Sequence, residues 1–268
     1  DLLMTMNIPT LTGYAQTLSN VGKTKNNGVE VSLNVVPVQT RSFTWNSSLN
    51  TAWQKDEIVE LANGKNDMVD NTWFIGKSLS VYYGVENAGI WKESDAAEMD
   101  KFNANITDSK KHFTVGTVRP VDQNDDYLID EKDRTVLGNR TPRWTLGWNN
   151  TFNYKGLELN VELYGRLGYM ISSGGEQQNG MGNQRQIDYW TPQNTDADWQ
   201  KPIYTGTLGV GGDNYSSLIG FKNASYIKFR NVSLGYFLPS GICQKAGLRS
   251  VKLYTQLRVN ALKSNKYG

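Results

Sequence analysis

Oxygen donors crowd one short stretch of this chain, Asp122-Gln-Asn124-Asp-Asp126-Tyr-Leu128-Ile-Asp130-Glu-Lys-Asp133. With Asp122 as the first position of a loop, Asn124, Asp126, Asp130 and Asp133 follow at the spacing that wraps hard oxygen ligands around calcium, and Leu128 supplies the main-chain carbonyl. Two residues depart from that pattern. Tyr127 stands where the sharp turn normally takes Gly, and Asp133 is shorter than the usual bidentate Glu. A solvated acidic turn uses the same residues, so both readings stay open. Asp122, Asn124, Asp126, Leu128, Asp130 and Asp133 are the candidate calcium ligands, with the ion as a loop staple and no cofactor required for catalysis.

Other groupings point away from an enzyme. Glu158 and Glu162 share a strand face, but their spacing puts them about 13 Å apart, beyond both carboxylate separations used in glycoside hydrolysis. Charges facing a water-filled lumen explain them better. The single His112 and single Cys243 leave no His-rich metal site, internal disulfide or Ser-His-Asp arrangement. Gly209, Gly211 and Gly212 lack the helix and the Lys-Ser/Thr of a phosphate loop. Trp73, Tyr82, Tyr83, Trp91, Trp190 and Trp199 fall in or beside loops, where they could stack on sugar rings, although packing within the loops or at a membrane interface is the commoner use.

What would position such residues is a set of alternating strands. In Leu157 to Leu167, apolar Leu157, Leu159, Val161, Leu163 and Leu167 alternate with Glu158, Asn160, Glu162, Tyr164 and Arg166. That gives one apolar and one polar face over about the length that crosses a tilted bilayer. Leu159, Val161 and Leu163 are expected to face lipid, and Asn160 and Glu162 the lumen. The same period marks strands near 29–36, 43–53, 143–154, 226–237 and 251–261. A half-buried soluble sheet alternates in the same way. The connections discriminate better. A short link around Pro37–Arg41, the hairpin Lys155-Gly156 and a moderate link through Pro239 and Gly247 alternate with long stretches at about 55–142 and 169–225. Short turns on one side and long loops on the other is the plan of an outer-membrane barrel.

A net charge of +2, from 28 basic and 26 acidic residues, leaves no electrostatic footprint for nucleic acid. No run of the chain reaches the 18 or so apolar residues of a transmembrane helix.

Several segments together resemble the C-terminal barrel region of SusC/RagA-type TonB-dependent outer-membrane transporters. They are Asn20 to Glu30, Gly89-Ile-Trp91, Asp122 to Asp133 followed by Val136-Leu-Gly-Asn139 and Pro142, Tyr189 to Asn194, and Ser225 to Pro239. They occur in the family's order and cover nearly the whole chain. The resemblance implies that the chain is a fragment of a 22-stranded barrel. The complete protein would carry an N-terminal plug, be energised by a TonB complex acting through that plug, and be capped by a SusD-like surface lipoprotein. It also implies import of oligosaccharides or peptides across the cell outer membrane. Gly is common in the family where this chain has Asp125 and Tyr127, and Glu is frequent where it has Gln193. Substrate contacts vary between members, so none is carried over.

The expected fold is therefore all-β, a partial antiparallel up-and-down transmembrane β-barrel with long extracellular loops. It lies in the lipid bilayer and performs no chemistry. The alternative is a secreted carbohydrate-binding β-sandwich with a structural calcium loop.

Overall fold

The computed structural model describes residues 2–7, 11, 13–14, 16–62, 64–172, 188–202 and 213–258. Gly209, Gly211, Gly212, the end of the expected strand at 259–261 and parts of both long connections, Asn63 and Ser173–Gly175 among them, lie outside them. In chain order the strands and helices are β1 (Leu2–Asn7), β2 (Gln16–Gln39), β3 (Phe43–Leu61), β4 (Val81–Val85), β5 (Asn87–Ile90) and α1 (Ala96–Ala104). Then come β6 (Val118–Pro120), β7 (Arg134–Asn139), β8 (Trp144–Tyr154), β9 (Leu157–Leu167), β10 (Met170–Ser172), β11 (Phe221–Asn223), β12 (Tyr226–Phe237), α2 (Ser240–Lys245) and β13 (Lys252–Leu257).

Two compact units result. The first, 1–80 with 141–169 and 224–268, holds a seven-stranded antiparallel sheet in the order β1-β2-β3-β8-β9-β12-β13. Its register sorts side chains as the alternation predicts. Val161 lies opposite Asn150 and Val232, Leu159 opposite Phe152 and Leu234, and Leu163 opposite Trp148 and Phe229. On the neighbouring strands the same face continues through Trp45, Leu49 and Trp53, then Val29, Val31 and Leu33. Asn160, by contrast, is opposite Thr151 and Ser233. Among the described residues no second sheet covers the apolar face, where Val29, Leu33, Trp144, Leu234 and Leu253 are exposed. The sandwich alternative is thereby overturned, because a sandwich buries that face against a facing sheet.

Local chemistry sets the strand ends. Lys155 and Gly156 both have positive φ, 43° and 90°, which gives the two-residue hairpin the twist its strands need. Pro37 interrupts β2, and the register between Val35 and Val38 takes one extra residue there, so Val38 returns to the apolar face opposite Trp45.

β2 and β3 are longer than the alternation predicts, 24 and 19 residues against 11 each for β8 and β9. β3 continues to Leu61, so the first long connection starts there and not near residue 55. A tilted strand needs only about 9–11 residues to cross a bilayer. The added length carries charge on the face that is apolar up to Trp53: Glu57 lies 3.8 Å from Lys25 and 3.2 Å from Lys55. Nothing in such a stretch has to alternate, because water, not lipid, meets its outer face. On the opposite face 64–80 folds back along β3. Asp56 accepts from Ser78 Oγ at 2.6 Å and from the Leu79 N–H at 3.0 Å, and Ile58, Leu61 and Phe74 are buried there.

The second unit, 81–140 with 170–223, is made from the two long connections. The turn-rich composition of those stretches predicts irregular backbone, but they build two-stranded ribbons (β4 with β7, β5 with β6, β10 with β11) and a buried centre. Trp91, Met99, Phe102 and Phe113 form one cluster, and Ile90, Val118, Leu218 and Ile219 another. Trp91 is fully buried, and Trp190 and Trp199 pack against the second cluster, so these aromatics of the connections are packing residues.

Candidate functional site

Two aromatic rows bound the apolar face of the sheet. At the short-turn end Phe152 stacks on Trp45 at 5.7 Å and on Phe43 at 6.5 Å, and at the other end Trp53 meets Trp144 at 6.4 Å. From Phe43 to Trp53 is ten strand residues, about 33 Å along the strand and about 25 Å along the normal for a tilt of about 40°. That matches the height of the apolar band on an outer-membrane barrel, flanked by aromatic girdles. Within the band two polar side chains, Ser47 and Asn150, sit opposite each other. They are satisfied by indoles of the same face, one in the girdle and one inside the band. Trp45 Nε1–H donates to Asn150 Oδ1 at 3.0 Å and Trp148 Nε1–H to Ser47 Oγ at 2.8 Å.

The opposite face is polar and internally bonded. Asn160 donates to Asn149 at 2.8 Å and Thr151 at 3.0 Å, and Ser48 donates to Asn34 at 2.6 Å. Glu158 pairs with Lys252 at 2.6 Å and Glu162 with Arg230 at 3.1 Å. Each of the two carboxylates thus has its own cation, which agrees with lumen-facing charges and leaves no catalytic pair. Toward the long-connection end this face gathers rings and cations. Tyr164 and Tyr226 lie 6.3 Å apart, Arg230 is 5.8 Å from the Tyr164 ring, Lys228 is 5.6 Å from the Tyr226 ring, and Arg166 is 5.5 Å from the Tyr169 ring. The Nε of Arg166 is buried with no hydrogen-bond partner. Arg230 falls on this face by alternation after Phe229, and a β-bulge there leaves it unpaired in the register, brings Asn231 opposite Glu162 and returns Val232 to the apolar face. Flat rings beside guanidinium and ammonium groups suit sugar rings, carboxylates and peptide groups. The sequence hid this cluster. The Tyr-x-Arg and Tyr-x-Lys spacings were visible, but the pairing of Tyr226 with Arg166 is a long-range register that no local pattern encodes.

The acidic loop belongs to the second unit. Asp125 and Tyr127 adopt φ of 59° and 58°, so the left-handed turns that Gly would ease are made without it. Asp122 accepts the Tyr127 N–H at 2.8 Å and the Asn124 N–H at 3.3 Å. Asp126 accepts the Leu128 N–H at 2.9 Å and the Asn124 side-chain amide at 2.8 Å, and Asp130 accepts the Lys132 N–H at 2.7 Å. Asp133 is buried and takes the Gln123 and Asp130 N–H groups at 2.9 and 2.7 Å. Tyr127 packs edge-on against Phe102 at 5.5 Å, which replaces the flexibility of Gly with an anchor in the core. Among the described residues no three His, Cys, Asp or Glu side chains converge on one metal-sized point. Beside the loop Glu98, Lys101, Arg119, Asp122 and Tyr127 line a cavity of about 470 Å³, in which Arg119 Nη2 donates to both Glu98 oxygens at 2.8 and 2.7 Å. Nearby, burial lowers the pKa of the Lys201 ammonium, which donates to Thr114 Oγ1 at 2.8 Å. Burial, and then the charge of Asp133, raise the Tyr215 phenol.

No protein-family model matches the chain. It is similar to TonB-dependent receptor P26 of Formosa agariphila, 30% identical across 95% of the chain and 26% of that protein. It is also similar to TonB-dependent receptor SusC of Bacteroides thetaiotaomicron, 24% identical across 88% of the chain and 23% of that protein. Among solved structures the RagAB peptide importer in its open-open state superposes with a TM-score of 0.67 at 25% identity, over 100% of the chain and 28% of its counterpart. The chain spans about a quarter of the length of the curated relatives it matches. These matches run the length of the chain, and the sheet has the lipid-facing band that an outer-membrane barrel requires. The chain belongs to the SusC/RagA-type TonB-dependent receptors of the outer membrane and forms part of their β-barrel.

Proposed function

We propose that this chain is wall and loops of an importer that takes up oligosaccharides or peptides, works with a SusD-like surface lipoprotein, and draws energy from TonB through a plug elsewhere in the receptor. The observation that carries the reading is the sorting of one sheet into a lipid-facing band and a polar face that bears the Tyr164, Arg166, Tyr226, Lys228 and Arg230 cluster. In an importer that cluster lines the solute path. Rings and cations hold the solute, and the wall itself does no chemistry. The acidic loop enters this reading as a calcium staple. Asp122, Asn124, Asp126, Asp130 and Asp133, with the Leu128 carbonyl, would hold the ion, which cancels repulsion among the four aspartates and fixes the loop.

The test is uptake of fluorescent oligosaccharides and peptides by cells whose receptor is deleted and then restored as wild type or with Arg166→Gln and Arg230→Gln. Restored wild type should recover uptake of one of the two classes. The double variant should lose about 100-fold or more, on the order of one charged contact of about 1.5 kcal/mol or more per residue, with surface levels unchanged. Undiminished uptake of both classes in the deletion strain would sink the importer reading.

A further inference from the structure

The short-turn end of the sheet is basic. The three connections there, 40–42, 155–156 and 238–251, contain Arg41, Lys155, Lys245 and Arg249 and no Asp or Glu. All four cations are exposed, and among the described residues none has an ion-pair partner. Beyond the opposite girdle, by contrast, Lys25, Lys55 and Arg143 each have a carboxylate. Three neighbouring strand ends are tied together at the basic rim. The Lys155 N–H donates to Ser42 O at 3.2 Å, and the Phe237 N–H donates to Gly156 O at 2.8 Å. Gly156 is required at that crossing, since a Cβ there would lie 3.1 Å from Phe237 O on a residue already at positive φ. Between these ends is a cavity of about 350 Å³ lined by Arg41, Thr44, Asn153, Tyr154, Lys155 and Phe237. With Ser42 it therefore has two cations, three uncharged hydrogen-bonding side chains and two rings, Tyr154 on the lipid-facing side and Phe237, opposite Lys252, on the polar side, at the level of the aromatic row that marks the bilayer surface. In the adjoining link Ile242 and Leu248 are exposed beside Lys245 and Arg249, an arrangement that places apolar groups in the acyl region and cations among headgroups.

We propose that this cavity is a binding site for the phosphate of a phospholipid headgroup in the leaflet that the short turns face, with Arg41 and Lys155 as its ligands. A guanidinium offers the forked donor geometry that phosphate accepts, and the Lys155 ammonium adds a point charge held 5.3 Å from the Tyr154 ring. The Tyr154 ring, which shares the lipid-facing side with Leu157, then meets the glycerol and first acyl carbons. The proposal rests on the barrel reading and on short turns facing the inner leaflet.

The experiment uses the full-length receptor, delipidated in detergent and titrated with phosphatidylglycerol, phosphatidylcholine or lipid A, with retained lipid counted by native mass spectrometry. Phosphatidylglycerol should bind the wild type, and Arg41→Gln with Lys155→Gln should weaken it about fivefold or more, the scale of one basic residue at a membrane surface. Arg41→Lys should keep most of the binding. Lys25→Gln, beyond the other girdle, should leave it unchanged. Equal phosphatidylglycerol retention by wild type and the double variant would overturn the site, as would complete displacement by millimolar inorganic phosphate, which marks a free-anion site. Whole-cell labelling of Ser42→Cys with an impermeant maleimide separates the two possible failures. Label at that position, together with retention of lipid A that depends on Arg41, would mean that the orientation is wrong. No label together with equal retention would mean that the orientation stands and the lipid site alone fails.

Discussion

The wall and the loop unit treat the same kinds of side chain in opposite ways. In the sheet Leu33, Trp148, Leu234 and Leu257 are exposed, while in the loop unit Trp91, Phe102, Phe113 and Val118 are 0–3% accessible. The sheet is held by main-chain ladders and needs a bilayer to cover one face; the loop unit makes its own apolar interior and needs only water outside. The difference shows in the polar groups too. On the lipid side Ser47 and Asn150 are each bonded to an indole, because an unpaired group there has no water to turn to. In the loop unit Asp126 and Asp130 stay partly in water and bond to nearby backbone.

The largest effect should come from emptying the interior of the loop unit. Phe102 packs edge-on against Trp91 at 5.7 Å and Phe113 at 5.9 Å. Phe102→Ala should cost about 3–5 kcal/mol of local stability. Limited proteolysis should then cut within 81–140, while the barrel keeps its heat-dependent mobility on a denaturing gel. Loss of both together would show that the two units stand or fall as one. Next in size is a charge on the apolar face of the wall. Leu163 is near the middle of the band, so Leu163→Arg should lower barrel stability in lipid by about 2–4 kcal/mol, whereas Asn160→Arg should cost under about 1 kcal/mol because water remakes its hydrogen bonds. Equal losses would reverse or erase the assignment of the two faces.

A finer test concerns the polar pair inside the band. Asn150→Leu leaves the Trp45 indole N–H without an acceptor and should cost about 1–3 kcal/mol in a folding titration in lipid. Adding Trp45→Phe removes the stranded donor, so the double variant should be more stable than the sum of the single losses, with a coupling of about 1 kcal/mol. Strict additivity would mean that the bond contributes nothing beyond packing.

The wall was legible in the sequence because a bilayer imposes a period on it. Leu157 to Leu167 alternates without a break, and the observed strand has those same ends. The front half of β2 was not legible, since Asn26, Asn27 and Gly28 lie past the Trp53 girdle, where nothing selects apolar from polar. The interior of the loop unit was also hidden. Trp91, Phe102 and Phe113 come from a strand end, a helix and a turn, and share no period. At the acidic loop the residue types were legible and the state was not. Spacing shows that Asp122 to Asp133 can reach one ion, but Asp133 already binds two N–H groups and Tyr127 has found its turn by packing against Phe102.

The smallest expected effect tests that loop. In water, five aspartates within twelve residues repel one another, and Lys132 offsets little of it, lying 3.9 Å from both Asp126 and Asp130. A carboxylate oxygen that accepts one N–H keeps a further lone-pair site, so the present hydrogen bonds do not use up the donors a calcium ion needs. The self-bonded turn already has an ordered shape, which limits the gain from the ion. The affinity should fall in the weak range of extracellular modules, with a dissociation constant of about 10⁻³ M, so a tenfold excess of calcium over that value stabilises the loop unit by about 1.4 kcal/mol. Hydrogen exchange of the Tyr127 and Leu128 amides in the intact receptor, with and without calcium, reads that gain directly. Asp122→Asn and Asp130→Asn should each remove it and leave the Phe102 amide unchanged. If millimolar calcium slows no amide in the wild type, the loop is the self-bonded turn alone. Slowing that persists in both variants would place the ion elsewhere.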